Sequence, residues 1–173
     1  EFTISRDTFL KSLSHAYGII EKKTTLPILS NILIEAKDSQ IRITATDLDI
    51  IYTEVISLQE LKKEGSTTTS ASIIYDILRK LEPNTKVELF LQSTNKLKLV
   101  SGNSKFNLLC LPSDNFPLSD EDIKQKTFEV SSKEMLKLLN KTKISISNDE
   151  TRHYLNGIYL HKINIENKSF LSS

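Results

Sequence analysis

The sequence predicts an α+β fold in which short antiparallel strands outnumber helices and one unit recurs along the chain. Three observations predict it. Apolar and polar residues alternate with period two over most of the chain, and only a few stretches carry apolar residues at helical spacing. Sliding the chain by about 126 residues also brings like residues into register. Many antiparallel strands with two helices per repeat make an α+β domain.

In that register Phe2-Thr3-Ile4-Ser5 lies on Phe128-Glu129-Val130-Ser131, Leu10 and Lys11 on Leu136 and Lys137, and Leu13 on Leu139. Leu29 then meets Leu155, Ile32 meets Ile158 and Ile34 meets Leu160. A complete first unit is expected over 1–125 and the beginning of a second over 126–173, as part of a longer protein. A linker is expected in the stretch from Leu111 to Asp122, which holds two prolines, polar turn formers and an acidic run.

Ser5 can cap a first helix whose apolar positions are Phe9, Leu10, Leu13, Ala16, Tyr17 and Ile20. A second helix is expected from Ser72 to Leu81 on Ile73, Ile74, Ile77, Leu78 and Leu81, ended by Pro83. Ser131 and Glu134 form a capping box for a third, with Met135, Leu136, Leu138 and Leu139 inside. The clearest strands are Ile28–Ala36, Gln40–Thr46, Ile50–Ser57, Lys86–Leu91, Lys96–Ser101 and Lys105–Cys110, with a hairpin turn at Ser101-Gly102-Asn103.

Composition narrows the function. Of 173 residues 38% are apolar and 26% charged, enough for a core and too much for a disordered tail. Twenty-three lysines and arginines against 22 acids leave a net charge of +1, which excludes a uniformly basic coat but not charge sorted onto one face. Cys110 stands alone, so neither an internal disulfide nor a cysteine zinc site is available, and its leucine neighbours mark it as core. No apolar run reaches the roughly 18 residues of a membrane span, and the start lacks a signal-peptide pattern. A soluble, cytoplasmic chain is expected.

No catalytic signature is found. His15, His153 and His161 form no metal-protease pair, and four glycines leave no phosphate loop. Asp47 and Asp49 could share a divalent cation in a metal-dependent enzyme, although a turn after Ile43-Thr44-Ala45-Thr46 attracts aspartate equally well. The third helix carries a better signal. Lys133, Lys137 and Lys141 form one stripe at i, i+4, i+8, an arrangement that costs a few tenths of a kcal/mol per like-charged pair. The same stripe on the first helix is Asp7, Lys11 and His15, with Arg6, Lys22 and Lys23 close by. Recurrence in both copies favours a polyanion along one surface. Arg152, His153 and Tyr154 add a group that can bind phosphate and stack on a base, or simply enter a strand. The register places Asn156-Gly157 inside that strand.

Four motifs then carry a resemblance. Thr25-Leu-Pro-Ile-Leu-Ser-Asn-Ile-Leu33, Thr44-Ala-Thr-Asp-Leu-Asp49, Leu111-Pro-Ser-Asp-Asn-Phe-Pro117 and Arg152-His-Tyr-Leu-Asn-Gly157 resemble the bacterial sliding clamp family, the β subunit of DNA polymerase III. The likeness spans the whole chain in order. It implies a DNA clamp fold: three copies of one domain per subunit, each with two helices on antiparallel sheets, paired head to tail into a ring whose helices line the hole. This chain would then hold the first domain and the opening of the second. The resemblance implies a non-catalytic processivity factor with no cofactor and no metal. Its partners would be double-stranded DNA, the polymerase III catalytic subunit, the clamp loader, other proteins with clamp-binding motifs, and a second subunit.

By that resemblance Lys23 falls at a basic DNA contact and His153 and Tyr154 at an aromatic pair touching DNA, and Arg152 and the stripe residues Lys11, Lys133, Lys137 and Lys141 join them as DNA-binding candidates on their own pattern. His153 stands where better-known members have tyrosine. Asp149 stands at a contact that is usually a neutral amide and Ser72 at one that can be arginine, so those two contacts are not carried over. Leu155 matches one wall of the pocket for clamp-binding peptides. Lys105, Phe106 and Leu108 match the edge that meets the third domain of the partner subunit, with Lys96 near enough to meet its carboxylates. A DNA-independent scaffold is the remaining alternative.

Overall fold

A computed structural model describes residues 1–20, 25–118, 129–147, 149–165 and 168–172. Strand β1 (Phe2–Ser5) runs directly into helix α1 (Arg6–Tyr17). A 3-10 turn at Pro27–Ser30 then leads into the meander β2 (Asn31–Lys37), β3 (Gln40–Thr46) and β4 (Ile51–Ser57). After the two-residue strand β5 (Glu60–Leu61) the order repeats as β6 (Gly65–Ser70), α2 (Ala71–Lys80), β7 (Lys86–Ser93), β8 (Lys96–Ser101) and β9 (Ser104–Leu111).

The two halves exchange their first strands. β6 pairs antiparallel with β2, from Asn31↔Ser70 to Ala36↔Gly65, and β1 pairs with β7, from Phe2↔Leu89 to Ser5↔Lys86. The resulting order is β4-β3-β2-β6-β9-β8-β7-β1-β5. Each ladder is therefore completed by the other half, so neither half has its full sheet alone. β6 and β9 meet at only two pairs, Thr68↔Leu111 and Thr69↔Cys110. Among the described residues β9 is laddered to β8 alone between Ser104 and Leu109, just as β4 is laddered to β3 alone. Backbone groups along these two edges remain available to a further strand.

Both helices bury one stripe against the sheet. Phe9, Leu13 and Ala16 of α1 and Ala71, Ile74 and Leu78 of α2 join Ile32, Ile34, Ile41, Ile43, Val87, Leu89, Leu97 and Leu99 in one core. Each fully buried leucine, isoleucine or phenylalanine contributes about 1.5–3 kcal/mol. Tyr17 stacks on Tyr75 across the helix pair, with ring centroids 4.8 Å apart. Cys110 is buried, as its leucine neighbours led us to expect.

Several local expectations need correction. The first residues of the expected strand Ile28–Ala36 curl into a 3-10 turn, because Pro27 fixes its φ and Ser30 Oγ donates back to the Pro27 carbonyl. Helix α2 begins at Ala71 rather than Ser72, with Ser70 as its N-cap, the Ser70 oxygen accepting from the Ile73 amide at 3.5 Å. Ser5 and Ser131 occupy N-cap positions without a side-chain capping bond, so the capping box is not formed. The hairpin between β8 and β9 turns at Gly102, whose φ of 54° suits glycine.

The chain divides into two compact units, Glu1–Asp120 and Glu121–Ser173. The second holds α3 (Ser132–Thr142), 3-10 turns at Lys143–Ser145 and Glu150–Leu155, and the hairpin of β10 (His161–Ile165) and β11 (Lys168–Ser172). Asn156, Gly157 and residues 158–160 lie outside any strand. Local hydrogen bonds curl the chain before them, from the Arg152 amide to the Asp149 carbonyl and from the Ser147 amide to the Leu155 carbonyl. Among the described residues no helix is long and apolar enough to cross a membrane.

Candidate nucleic-acid interface

On α1 the buried positions leave Lys11, Ser14 and His15 exposed. His15 follows Lys11 by four positions, so they sit one above the other on the helix. Asp7, one turn earlier, is already engaged. Its Oδ1 accepts from Arg6 Nη1 at 2.7 Å and its Oδ2 from the Asn84 amide at 2.7 Å. The Arg6 hydrogen bond first, and the Asn84 amide second, hold the Asp7 carboxyl below the usual aspartate range.

Arg6, expected close by that stripe, does not reach the surface. It is buried, and its Nε donates to the Leu78 carbonyl at 2.7 Å while Nη2 donates to the Arg79 carbonyl at 3.1 Å. Carbonyls in the last turn of a helix have no intrahelical donor and carry partial negative charge, so a cation there satisfies both. Arg6 thus fastens the start of α1 to the end of α2.

His15 is tied to the sheet. Its Nδ1 lies 3.2 Å from Tyr52 Oη and 3.5 Å from Glu54 Oε2. Tyr52 donates to the same carboxylate oxygen at 2.5 Å, and Ser12 Oγ donates to it at 2.6 Å. Burial raises the Glu54 carboxyl, but the bonds from Ser12, Tyr52 and His15 outweigh that and leave it below its usual value. Burial, then the bond to Glu54, pushes the Tyr52 phenol up to about 12. Sequence reasoning missed Tyr52 and Glu54. The signal was the period-two register, which puts Tyr52, Glu54 and Ile56 on the helix-facing side of β4.

On α3, Lys133, Lys137 and Lys141 are all exposed, while Met135, Leu138 and Leu139 on the other side are half-buried. Arg152 and Tyr154 are also exposed, and Leu155 is 44% exposed. Arg152 Nε pairs with Asp149 Oδ2 at 3.3 Å. Asp149 Oδ1 accepts from both the hydroxyl and the amide of Thr151, which hold its carboxyl below the usual range. Lys23 and its neighbour Lys22 lie outside the described residues, as does the His153 side chain.

The remaining candidates fall on β9 and the turn after β3. Leu108 is buried in the core and Phe106 packs against it, while Lys105, Asn107 and Leu109 face solvent from the other side of the strand. Lys96, opposite Leu109, is exposed too. Asp47 Oδ1 accepts from the amides of Asp49 and Ile50 at 3.1 and 2.7 Å. Its carboxylate thus closes a turn. Among the described residues no three histidines, cysteines or acids gather to hold a metal.

Comparison with known proteins gives this geometry a context. Residues 1–120 match the family model described as DNA polymerase III beta subunit, N-terminal domain. A curated beta sliding clamp from Caulobacter vibrioides is 38% identical over 167 residues, covering 95% of this chain and 44% of the relative. One from Rickettsia felis is 36% identical, covering 98% and 44%. Among solved structures, a Caulobacter crescentus beta sliding clamp superposes with a TM-score of 0.91 at 36% identity, over 98% of this chain and 45% of that one. A Pseudomonas aeruginosa sliding clamp bound to griselimycin superposes with a TM-score of 0.89 at 30% identity, over 94% and 44%. The chain spans under half the length of these relatives.

Proposed function

The chain belongs to the DNA polymerase III β-subunit family, and from that premise we propose that it is part of a sliding clamp that encircles duplex DNA and tethers the replicative polymerase. Residues 1–125 serve as the first clamp domain and 126–173 as the opening of the second. The observation that carries this reading is the ordered likeness to beta sliding clamps along nearly the whole chain. Its action is non-catalytic. Lys11, Lys23, Lys133, Lys137, Lys141 and Arg152 attract the phosphate backbone without reading bases, which is what sliding requires, and His153 and Tyr154 offer rings that can stack on an unpaired base. Leu155 contributes to a pocket for the clamp-binding peptides of the polymerase, the clamp loader and other partners.

Ring closure is assigned to β9. Its unladdered edge from Ser104 to Leu109 takes a strand of a second subunit, with Phe106 and Leu108 behind the seam and Lys105 and Lys96 beside it. Asp47 gives the metal-enzyme alternative little support, since its carboxylate is spent on turn amides.

The test loads the full-length protein onto nicked circular DNA. A clamp stays on circles through gel filtration at high salt and runs off once they are linearised. Phe106→Asp, which puts an unpaired charge just behind the seam, should shift the subunit toward monomer and abolish retention while circular dichroism shows it folded. Equal retention on linear and circular DNA contradicts encirclement, and no salt-sensitive DNA binding at all favours the scaffold.

A further inference from the structure

Among the described residues of the first unit, Leu109 is the large apolar side chain left most open to solvent, at 80%. It stands on β9 with Lys105 and Asn107, on the face turned away from Phe106 and Leu108. Across the ladder, Lys96 and Lys98 of β8 lie opposite Leu109 and Asn107 on that same face. Lys98 sits 5.5 Å from the Phe90 ring centroid, and Glu88, opposite Val100, is the acid that β7 adds. The backbone of the strand is aimed with these side chains. The Cys110 amide donates to the Asn95 carbonyl, whereas the Leu109 carbonyl accepts from Thr69 Oγ1 on the other side. Successive residues of a strand send their backbone groups to opposite sides, so those of Lys105, Asn107 and Leu109 point to the free edge. A strand added there pairs with the residues whose side chains form the outer face.

The second free edge of the unit offers the complement. On β4, Tyr52 and Glu54 face the helix, while Ile51, Thr53 and Val55 are exposed on the opposite face. Leu48 and Ile50, in the turn before this strand, are exposed as well. Asp47 and Asp49 flank them, and Arg42, opposite Val55, turns to Glu35 at 4.0 Å. One edge is therefore cationic around an apolar side chain, and the other is apolar with carboxylates beside it. Two like edges brought together oppose lysine to lysine or aspartate to aspartate. Unlike edges match in both charge and polarity, which is a head-to-tail contact.

We infer that the outer face of β9 is the part of the ring seam that selects its partner, with Leu109 seated against an apolar side chain of the added strand and Lys96 and Lys105 holding the carboxylates that flank it. The occupant is an edge of the β4 kind, carried by a second copy of the full-length chain. This rests on the assignment of ring closure to β9 and adds Leu109 to that seam. Strand direction does not decide the match. Apolar residues at alternate positions keep one beside Leu109 whichever way the added strand runs. Phe106 and Leu108 are turned to the core and support the seam from behind, so the apolar contact on the outer side falls to Leu109.

The experiment follows dissociation of the full-length dimer on dilution, by sedimentation velocity. Leu109→Ala should raise the dimer Kd by at least about tenfold, the effect expected when the burial of one leucine is lost. Leu109→Met keeps the apolar volume and should stay closer to the parent than Leu109→Ala does. At an exposed position neither change disturbs the core, and both should match the parent in circular dichroism. Phe106→Asp, checked for folding in the same way, separates the two levels of the argument. If it yields monomer while Leu109→Ala dimerises like the parent, the inference is overturned and the seam at β9 stands. If both dimerise like the parent, the seam reading falls and the role of Leu109 with it. If Leu109→Ala dimerises normally but no longer holds polymerase on circular DNA, the face serves a different partner and the inference is again overturned.

Discussion

Equivalent positions of the repeat have different surroundings in the two units. Phe9 and Leu13 are 0% and 1% exposed, whereas their counterparts Met135 and Leu139 are only half-buried. Leu29 and Ile34 are 4% and 3% exposed, against 44% and 41% for Leu155 and Leu160. Helix α1 lies on two ladders that share a core, while the strands described in the unit of α3 are β10 and β11. An apolar stripe marks a surface to be covered, and the second layer decides how much is. Exposed cations are what the two helices share: Lys11 on one, Lys133, Lys137 and Lys141 on the other.

The comparison breaks most easily on stability. Phe9→Ala should cost about 3–5 kcal/mol in urea unfolding of the first unit, from lost burial plus a cavity. Met135→Ala, at the equivalent and only half-buried position of α3, should cost clearly less. Similar costs for both would mean α3 is packed as tightly as α1.

A second contrast uses the two arginines. Arg6→Ala strands two carbonyls at the end of α2 and frees Asp7, a loss of roughly 2–4 kcal/mol for charge-assisted bonds at a buried site. Arg152→Ala removes one exposed pair and should cost at most about 1 kcal/mol. Equal Tm shifts would contradict the assignment of Arg6 as the link between helices.

Acid titration gives the smallest and most diagnostic difference. Glu54 has a folded-state carboxyl below its usual value, so its ionised form stabilises the fold. That share is fully present above the unfolded glutamate range of about 4.3 and is lost as pH falls through the lowered folded value. The stability gap between the parent and Glu54→Gln should therefore narrow as pH falls from neutral toward about 3. Asp149→Asn, at a solvent-screened carboxylate, should give a much smaller gap. A gap for Glu54→Gln that widens in acid would reverse the sign of the argument.

The sequence was most informative where side chains alternate against a core. Gln40–Thr46 and Lys96–Ser101 form strands with the expected bounds. It was silent at β6, where Thr67, Thr68 and Thr69 are buried with no apolar alternation. Their hydroxyls are satisfied by distant partners: Thr68 donates to the Leu111 carbonyl and Thr69 to the Leu109 carbonyl, both at 3.0 Å. No local pattern encodes such partners. Arg6 was misread for a related reason. A cation in the first turn of a helix opposes the dipole, a conflict that pointed inward rather than to solvent. Among candidate site residues, Lys11 and the α3 lysines were legible because helical spacing alone puts them on one face. Glu54 was not, because its role depends on Ser12 and His15, about forty residues earlier in the chain.

The proposed contact between the exposed cations of α1 and α3 and the phosphate backbone is measurable. Its most direct test is the salt dependence of duplex binding by the full-length protein. Lys133→Ala, Lys137→Ala and Lys141→Ala combined should reduce the log K against log salt slope by about 0.9 per contacting lysine, up to about 2.7, uniformly across DNA sequences. An unchanged slope in that triple variant, with the protein folded, would contradict the claim and leave the stripe as a solvated helix face.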